Sequence, residues 1–190
     1  MSLKYKFKKA TKIIQGLRLE ERVTLGNICC DIQQAEKHLL EAAEDILNDC
    51  GKRCRGLCCR NIHIDDIMTL LDCVHILATV PTIQAEIDEA LRREALYSAD
   101  CIFLKNGSGP CIFPAVARPE KCILSFCHGD GIVANEMRHV RKRFNRLARF
   151  IQFQKPRAVI RFLFGRFKAG KACGSLNGPA KRQAVGRSKR

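Results

Sequence analysis

The sequence predicts a mostly helical α+β fold: a small cysteine-rich domain with short irregular strands, a long helix before it and a basic helical tail after it. Three observations carry this expectation. Apolar residues recur at steps of three and four on both sides of the chain's middle. Eight of the twelve cysteines fall in two groups between residues 50 and 127. The positive charge sits at one end: residues 136–190 hold seventeen Lys/Arg and one acid, Glu136, against seventeen Lys/Arg and eighteen Asp/Glu before them. This is the pattern of a near-neutral body with a basic appendage. The 190 residues suit one ordinary domain with a tail, and in the absence of Trp the core falls to Phe, Ile and Leu. The expected divisions are an N-terminal helical region at 1–49, a cysteine-cluster domain at 50–135, a basic amphipathic segment at 136–170 and a disordered basic tail at 171–190.

Residues 1–20 form a basic lead-in with helical character. Val23 to Asn48 then reads as one long helix, because Leu25, Ile28, Ile32, Ala35, Leu39, Ala42 and Ile46 share a stripe. That stripe suits packing on a core; its length of about three heptads also leaves room for a dimeric coiled coil. Asn61–Ile64 reads as extended. Asp65 or Asp66 then caps a helix to about Leu77, with Ile67, Leu70, Leu71 and Val74 as its apolar face. Pro81-Thr82 opens another helix carrying Ile83, Ile87 and Leu91. Residues 100–127 are short apolar pieces between turn formers, which predicts a small hairpin or irregular knuckle. Met137–Phe153 is a basic amphipathic helix. Met137, Val140, Phe144, Leu147 and Ile151 form its stripe, among Arg138, Arg141, Lys142, Arg146 and Arg149, and Pro156 ends or kinks it.

The cysteines carry the chemistry. The first group is Cys50, Cys54, Cys58 and Cys59; the second is Cys101, Cys111, Cys122 and Cys127. Thiolates at this density suit zinc, iron or an iron–sulfur cluster. The first twenty-odd residues lack the apolar run of a secretory signal, and no stretch of about 18 apolar residues predicts a transmembrane segment. The expectation is a cytoplasmic, reducing setting, where clustered cysteines bind metal more often than they form disulfides. Steps of four place Cys50, Cys54 and Cys58 on one side of a helical turn. The adjacent Cys58 and Cys59 diverge, which suits two metals or a cluster lying close together. Eight cysteines also divide into two four-thiolate sites.

Cys50-x3-Cys54-x3-Cys58-Cys59, Asp66-Ile67, Cys101-Ile-Phe-Leu, Gly109-Pro-Cys111-Ile-Phe, Arg118-Pro119-x-x-Cys122 and Cys127 together resemble the YkgJ-type cysteine-cluster family. That family is described as a zinc- or iron-chelating domain with a CxxCxxCC signature. The resemblance spans about residues 50–127. It implies a metal-ligand role for Cys50, Cys54, Cys58, Cys59, Cys101, Cys111, Cys122 and Cys127. The first group's gaps are one residue longer than in the signature, and Phe113 stands where the family commonly has Tyr. Flagellin lysine methylases share a similar cysteine signature, so an iron–sulfur-dependent modification enzyme is a further alternative. Whether the chain is an enzyme stays open, and no P-loop, GxGxxG or GxSxG motif is present.

Other residues have plainer readings. Pro119 stiffens the turn that delivers Cys122, and Arg118 offsets thiolate charge. Lys52, Arg53, Arg55 and Arg60 crowd the first group, either for the same purpose or as solvated loop charges. Cys29 and Cys73 read as small core hydrophobes, Cys30 and Cys173 as unassigned. His63 and His128 read first as surface histidines and second as alternative ligands; His38, His75 and His139 have no local context. The basic segment 137–190 suits nucleic acid, with Phe144, Phe150 and Phe153 available to stack on bases, or an anionic membrane surface. Its plainest reading packs the stripe inward and leaves the arginines in water. The leading function is metal binding through the eight cysteines; the alternative is a nucleic-acid-binding module on a structural zinc scaffold.

Overall fold

The computed structural model describes the backbone of residues 2–53, 62–92, 101–105, 111–125 and 131–168, and their side chains except for 49–53 and 154–168. Eight α-helices lie in the described residues: α1 (Leu3–Gln15), α2 (Leu19–Ala42), α3 (Glu44–Arg53), α4 (Ile64–Ile67), α5 (Leu70–Thr79), α6 (Gln84–Ala90), α7 (Glu120–Ile123) and α8 (Gly131–Lys168). Two 3-10 turns, Pro81–Ile83 and Ala115–Ala117, join them. Met1–Ile151 forms one compact unit and Gln152–Arg190 a second.

The expected α+β class is corrected. Among the described residues there is no strand, only an isolated antiparallel bridge between Leu104 and Cys111. The apolar pieces of residues 100–127 are too short, and too rich in Gly and Pro, to extend that bridge into a ladder. Nor do the described residues contain a cluster of three or more His, Cys, Asp or Glu able to hold a metal; what they form is helical.

α5 is the centre of the first unit. Residues 72–77 along it are all buried, so it is enclosed on every side. It packs against α1 and α2, and the 3-10 turn at 115–117 closes onto α2 and α5. Leu25, Ile28, Ile32 and Leu39 of α2 bury the predicted stripe. Val140, Phe144, Leu147 and Ile151 of α8 join the same core, leaving the arginines between them exposed. Each such large side chain contributes about 1.5–3 kcal/mol on full burial. No single described helix is long and apolar enough to cross a membrane. α5 with the segment Pro81–Ala90 passes such a test only as a pair bent by 112°.

Several boundaries differ from expectation, each for a local reason. The long helix breaks at Ala43 into α2 and α3. Asn61 lies outside the described residues, and Ile64 opens α4 rather than ending a strand. The helix expected from Asp65 to Leu77 is two helices, because Thr69 caps a fresh start. Asp65 instead accepts the Leu3 N–H at 2.6 Å, capping α1 from 62 residues away. Lys6 fastens the same junction by donating to the Met68 carbonyl at 2.7 Å and to the Asp65 carbonyl. The helix opened by Pro81 is one 3-10 turn followed by α6. α8 starts at Gly131 and runs through Pro156 to Lys168; a proline forfeits one i→i−4 bond without forbidding helical φ.

Two buried polar groups organise the core. Asp72 is fully buried. One carboxylate oxygen accepts the Thr69 N–H and Oγ–H, both at 2.6 Å, while the Asp72 N–H donates to Thr69 Oγ at 3.2 Å. This is a capping box at the start of α5. The other oxygen accepts the Glu120 N–H at 2.7 Å, capping α7 from 48 residues away. Glu36 of α2 and His75 of α5 form the second feature. Both are fully buried, with His75 Nε2 3.6 Å from Glu36 Oε2. That is too long for a hydrogen bond, and none of their side-chain polar atoms has a hydrogen-bond partner among the described residues. Phe144 presents its ring to His75 in an edge-to-face contact at 5.4 Å.

Asp72→Ala removes the acceptor for three donors and is predicted to cost about 3 kcal/mol or more in chemical denaturation, since hydrogen bonds to a buried charge contribute roughly 1.5–3 kcal/mol each. A loss below about 1 kcal/mol contradicts the double-cap role. Burial raises the Glu36 carboxyl above its ordinary value of 4.5; His75 opposes the rise and the Asp72 charge adds to it. The folded chain therefore keeps a proton that the unfolded chain releases. This contribution is fully present below about 4.5 and is lost as pH rises through the folded value. The stability of the native chain relative to Glu36→Gln is predicted to fall over that window, by at most about 1.4 kcal/mol per pH unit. Denaturation of both proteins from pH 4 to 8 checks this, and a constant difference contradicts it.

Candidate metal centre

Three of the eight predicted ligands have described side chains: Cys101, Cys111 and Cys122. Cys54, Cys58, Cys59, Cys127 and the side chains of Cys50, Lys52 and Arg53 lie outside the described residues, as do Arg55, Arg60, His128 and Cys173.

The second cysteine group is built on a repeated tripeptide. Cys101-Ile102-Phe103 and Cys111-Ile112-Phe113 lie across from one another through the Leu104–Cys111 bridge. The Ile112 N–H donates to the Phe103 carbonyl at 2.9 Å, and the Leu104 N–H turns back to the Cys101 carbonyl at 3.1 Å. The two phenylalanines anchor this knuckle in the core. Phe103 and Phe113 are buried and stand 4.7 Å apart, and Phe7 of α1 meets Phe103 edge-on at 6.2 Å. Both rings point inward, which fixes the backbone that carries the sulfurs.

The electrostatics of the two thiols mirror each other. Burial raises both above the ordinary thiol value, and in each case a backbone amide two residues on opposes the rise: that of Phe103 for Cys101, that of Phe113 for Cys111. The charge of Cys111 raises Cys101 further. Arg118 lowers Cys111. Its Nε is buried with no hydrogen-bond partner among the described residues. Amide donors and a guanidinium are the groups that favour a thiolate over a thiol.

Cys122 comes from a separate element. It lies half-buried on α7, the turn that Asp72 caps at Glu120 and that Lys121 ties to the Asp66 carbonyl at 3.1 Å. Pro119, itself buried, accepts the Cys122 N–H at 2.9 Å through its carbonyl and so fixes the turn. Cys101, Cys111 and Cys122 do not form a group of three among the described residues.

The remaining described cysteines behave differently. Cys29 and Cys73 are buried, and burial pushes both thiols up to about 12; nearby carboxylates, Glu36 and Asp72 respectively, add to the rise. Such thiols are core hydrophobes, as expected. Cys30 is exposed on α2, and His63 is exposed ahead of α4. Sequence reasoning missed the roles of Asp72, Glu36 and His75: the Glu120 and Glu36–His75 partners lie tens of residues away, while the Thr69-x-x-Asp72 capping box was a local signal left unread. The amide–sulfur geometry had a local signal, the doubled Cys-Ile-Phe. Thiol sulfur is a ligand type that zinc and iron take, in sets of four, and the described residues hold no group of three such ligands.

No family model, no curated protein and no solved structure matches this chain.

Proposed function

We propose that this chain is a metal-binding protein whose ligands are Cys50, Cys54, Cys58, Cys59, Cys101, Cys111, Cys122 and Cys127, holding zinc, iron or an iron–sulfur cluster. The observation that carries this reading is the Cys101–Cys111 knuckle. The Leu104–Cys111 bridge sets the two Cys-Ile-Phe segments side by side, a backbone amide two residues on favours each thiolate, and Arg118 favours the second. Four thiolates on a divalent ion carry a net negative charge, and the Arg118 guanidinium offsets part of it. With zinc the centre is structural and contributes directly to folding. With iron–sulfur it is a redox or catalytic centre.

Protein purified without oxygen is predicted to carry stoichiometric zinc or iron. Cys101→Ser/Cys111→Ser lowers the metal content, whereas Cys73→Ala leaves it unchanged; elemental analysis with circular dichroism on the same samples reads both. Metal-free native protein, or full occupancy in the double serine variant, contradicts the proposal. Arg118→Gln is predicted to weaken metal affinity by about tenfold, the scale of a supporting contact, as measured by competition with a chromogenic chelator.

A second reading, nucleic-acid binding by α8, is favoured over membrane binding by one observation. Val140, Phe144, Leu147 and Ile151 are used up in the core, while Arg138, Arg141, Lys142, Arg143, Arg146 and Arg149 are exposed. A membrane helix needs its apolar face free; a phosphate backbone needs only the charge. Phe144 is buried and unavailable for stacking, Phe150 is half-buried, and Phe153 is 69% exposed. This reading predicts oligonucleotide binding whose logarithmic salt slope falls by about 0.9 for each contacting arginine replaced by glutamine. Arg138, Arg141 and Arg149 are the residues to replace, with fluorescence anisotropy as the readout. A salt-independent affinity rules it out.

A further inference from the structure

A cleft of about 280 Å³ lies between α2 and α8, lined from α2 by Asp31, Gln34 and His38 and from α8 by Glu136, His139, Lys142 and Arg143. These residues fall at steps of three and four on each helix, so one face of each turns toward the cleft. Its acids are engaged. Asp31 accepts from Arg146 at 2.6 Å, and Glu136 faces His139 Nδ1 at 3.4 Å. Lys142 and Arg143 have no carboxylate partner among the described residues, and both are exposed to the cleft's solvent. Two imidazoles and the Gln34 amide add further groups able to donate. The carboxylates and imidazoles do not converge on one point as metal ligands would.

We propose that this cleft is a binding site for a small phosphate-bearing molecule, with Lys142 and Arg143 as the principal contacts and Gln34, His38 and His139 as additional donors. The guanidinium fork matches two oxygens of a tetrahedral dianion, and the lysine supplies a mobile point charge. Arg146, fastened to Asp31, keeps that carboxylate from opposing the ligand. The cleft lies near the lower end of the usual size range for small-molecule sites, which suits inorganic phosphate or a compact phosphate monoester. The inference is independent of the cysteine centre; it shares Lys142 and Arg143 with the nucleic-acid reading, and the test below separates the two.

The test is isothermal titration of the full-length, as-purified protein with inorganic phosphate. One saturable site per chain is expected. Lys142→Gln/Arg143→Gln weakens it by about tenfold or more, the loss expected when charge-assisted contacts are removed. Arg149→Gln, which lies outside the cleft, leaves it unchanged even though the nucleic-acid reading has it lower oligonucleotide affinity. Circular dichroism confirms that the variants keep their helices. Absence of saturable binding overturns the proposal. So does a double variant that binds like the native chain, or an Arg149→Gln loss equal to that of the double variant, which would mean diffuse charge and not a site.

Discussion

The Asp72 carboxylate is the constraint on which the rest of this structure hangs. It is fully buried, and its two oxygens accept from two different helix starts, that of α5 through Thr69 and that of α7 through Glu120. A buried charge is tolerated only where hydrogen bonds replace its water. Here the replacements are backbone N–H groups that would otherwise be orphaned at helix ends. One side chain therefore sets where α5 begins and where α7 sits relative to it. Because α7 carries Cys122, the same bond positions a member of the second cysteine group.

Around that bracket the core has an unusual composition. α5 is enclosed by α1, α2 and the 115–117 turn, and the contact of His75 with Phe144 brings α8 against it. The Glu36–His75 pair sits between α2 and α5 with no hydrogen bond among the described residues. Such a pair is a weak source of stability, since desolvation opposes its attraction. Removing one partner nevertheless leaves the other polar group buried without a counterpart, which is costly. Stability must then come from the apolar faces, and those faces were the most legible part of the chain.

The α2 stripe from Leu25 to Leu39 and the α8 stripe from Val140 to Ile151 were readable because burial repeats every three or four residues. What periodicity could not give was where helices stop. The break at Thr69 depends on a capping box, and the diversion of Asp65 to the N-terminus of α1 depends on a contact 62 residues away. The class was misjudged for a related reason: short apolar runs such as Cys101-Ile-Phe-Leu look like strands whether or not a partner ladder forms, and here only one bridge does. The same run nevertheless marked where the two Cys-Ile-Phe segments lie side by side. The α2–α8 cleft was invisible in one dimension, because His38 and His139 are about a hundred residues apart and neither has a local motif.

The central claim is that clustered thiolates hold a metal. X-ray absorption at the metal edge of anaerobically purified protein tests it most directly, because it reads the ligand atoms themselves. For zinc the account predicts a first shell made only of sulfur at about 2.3 Å; for iron it predicts sulfur again, with a short metal–metal distance if a cluster is present. A first shell dominated by nitrogen or oxygen would contradict it and remove these cysteines from the site.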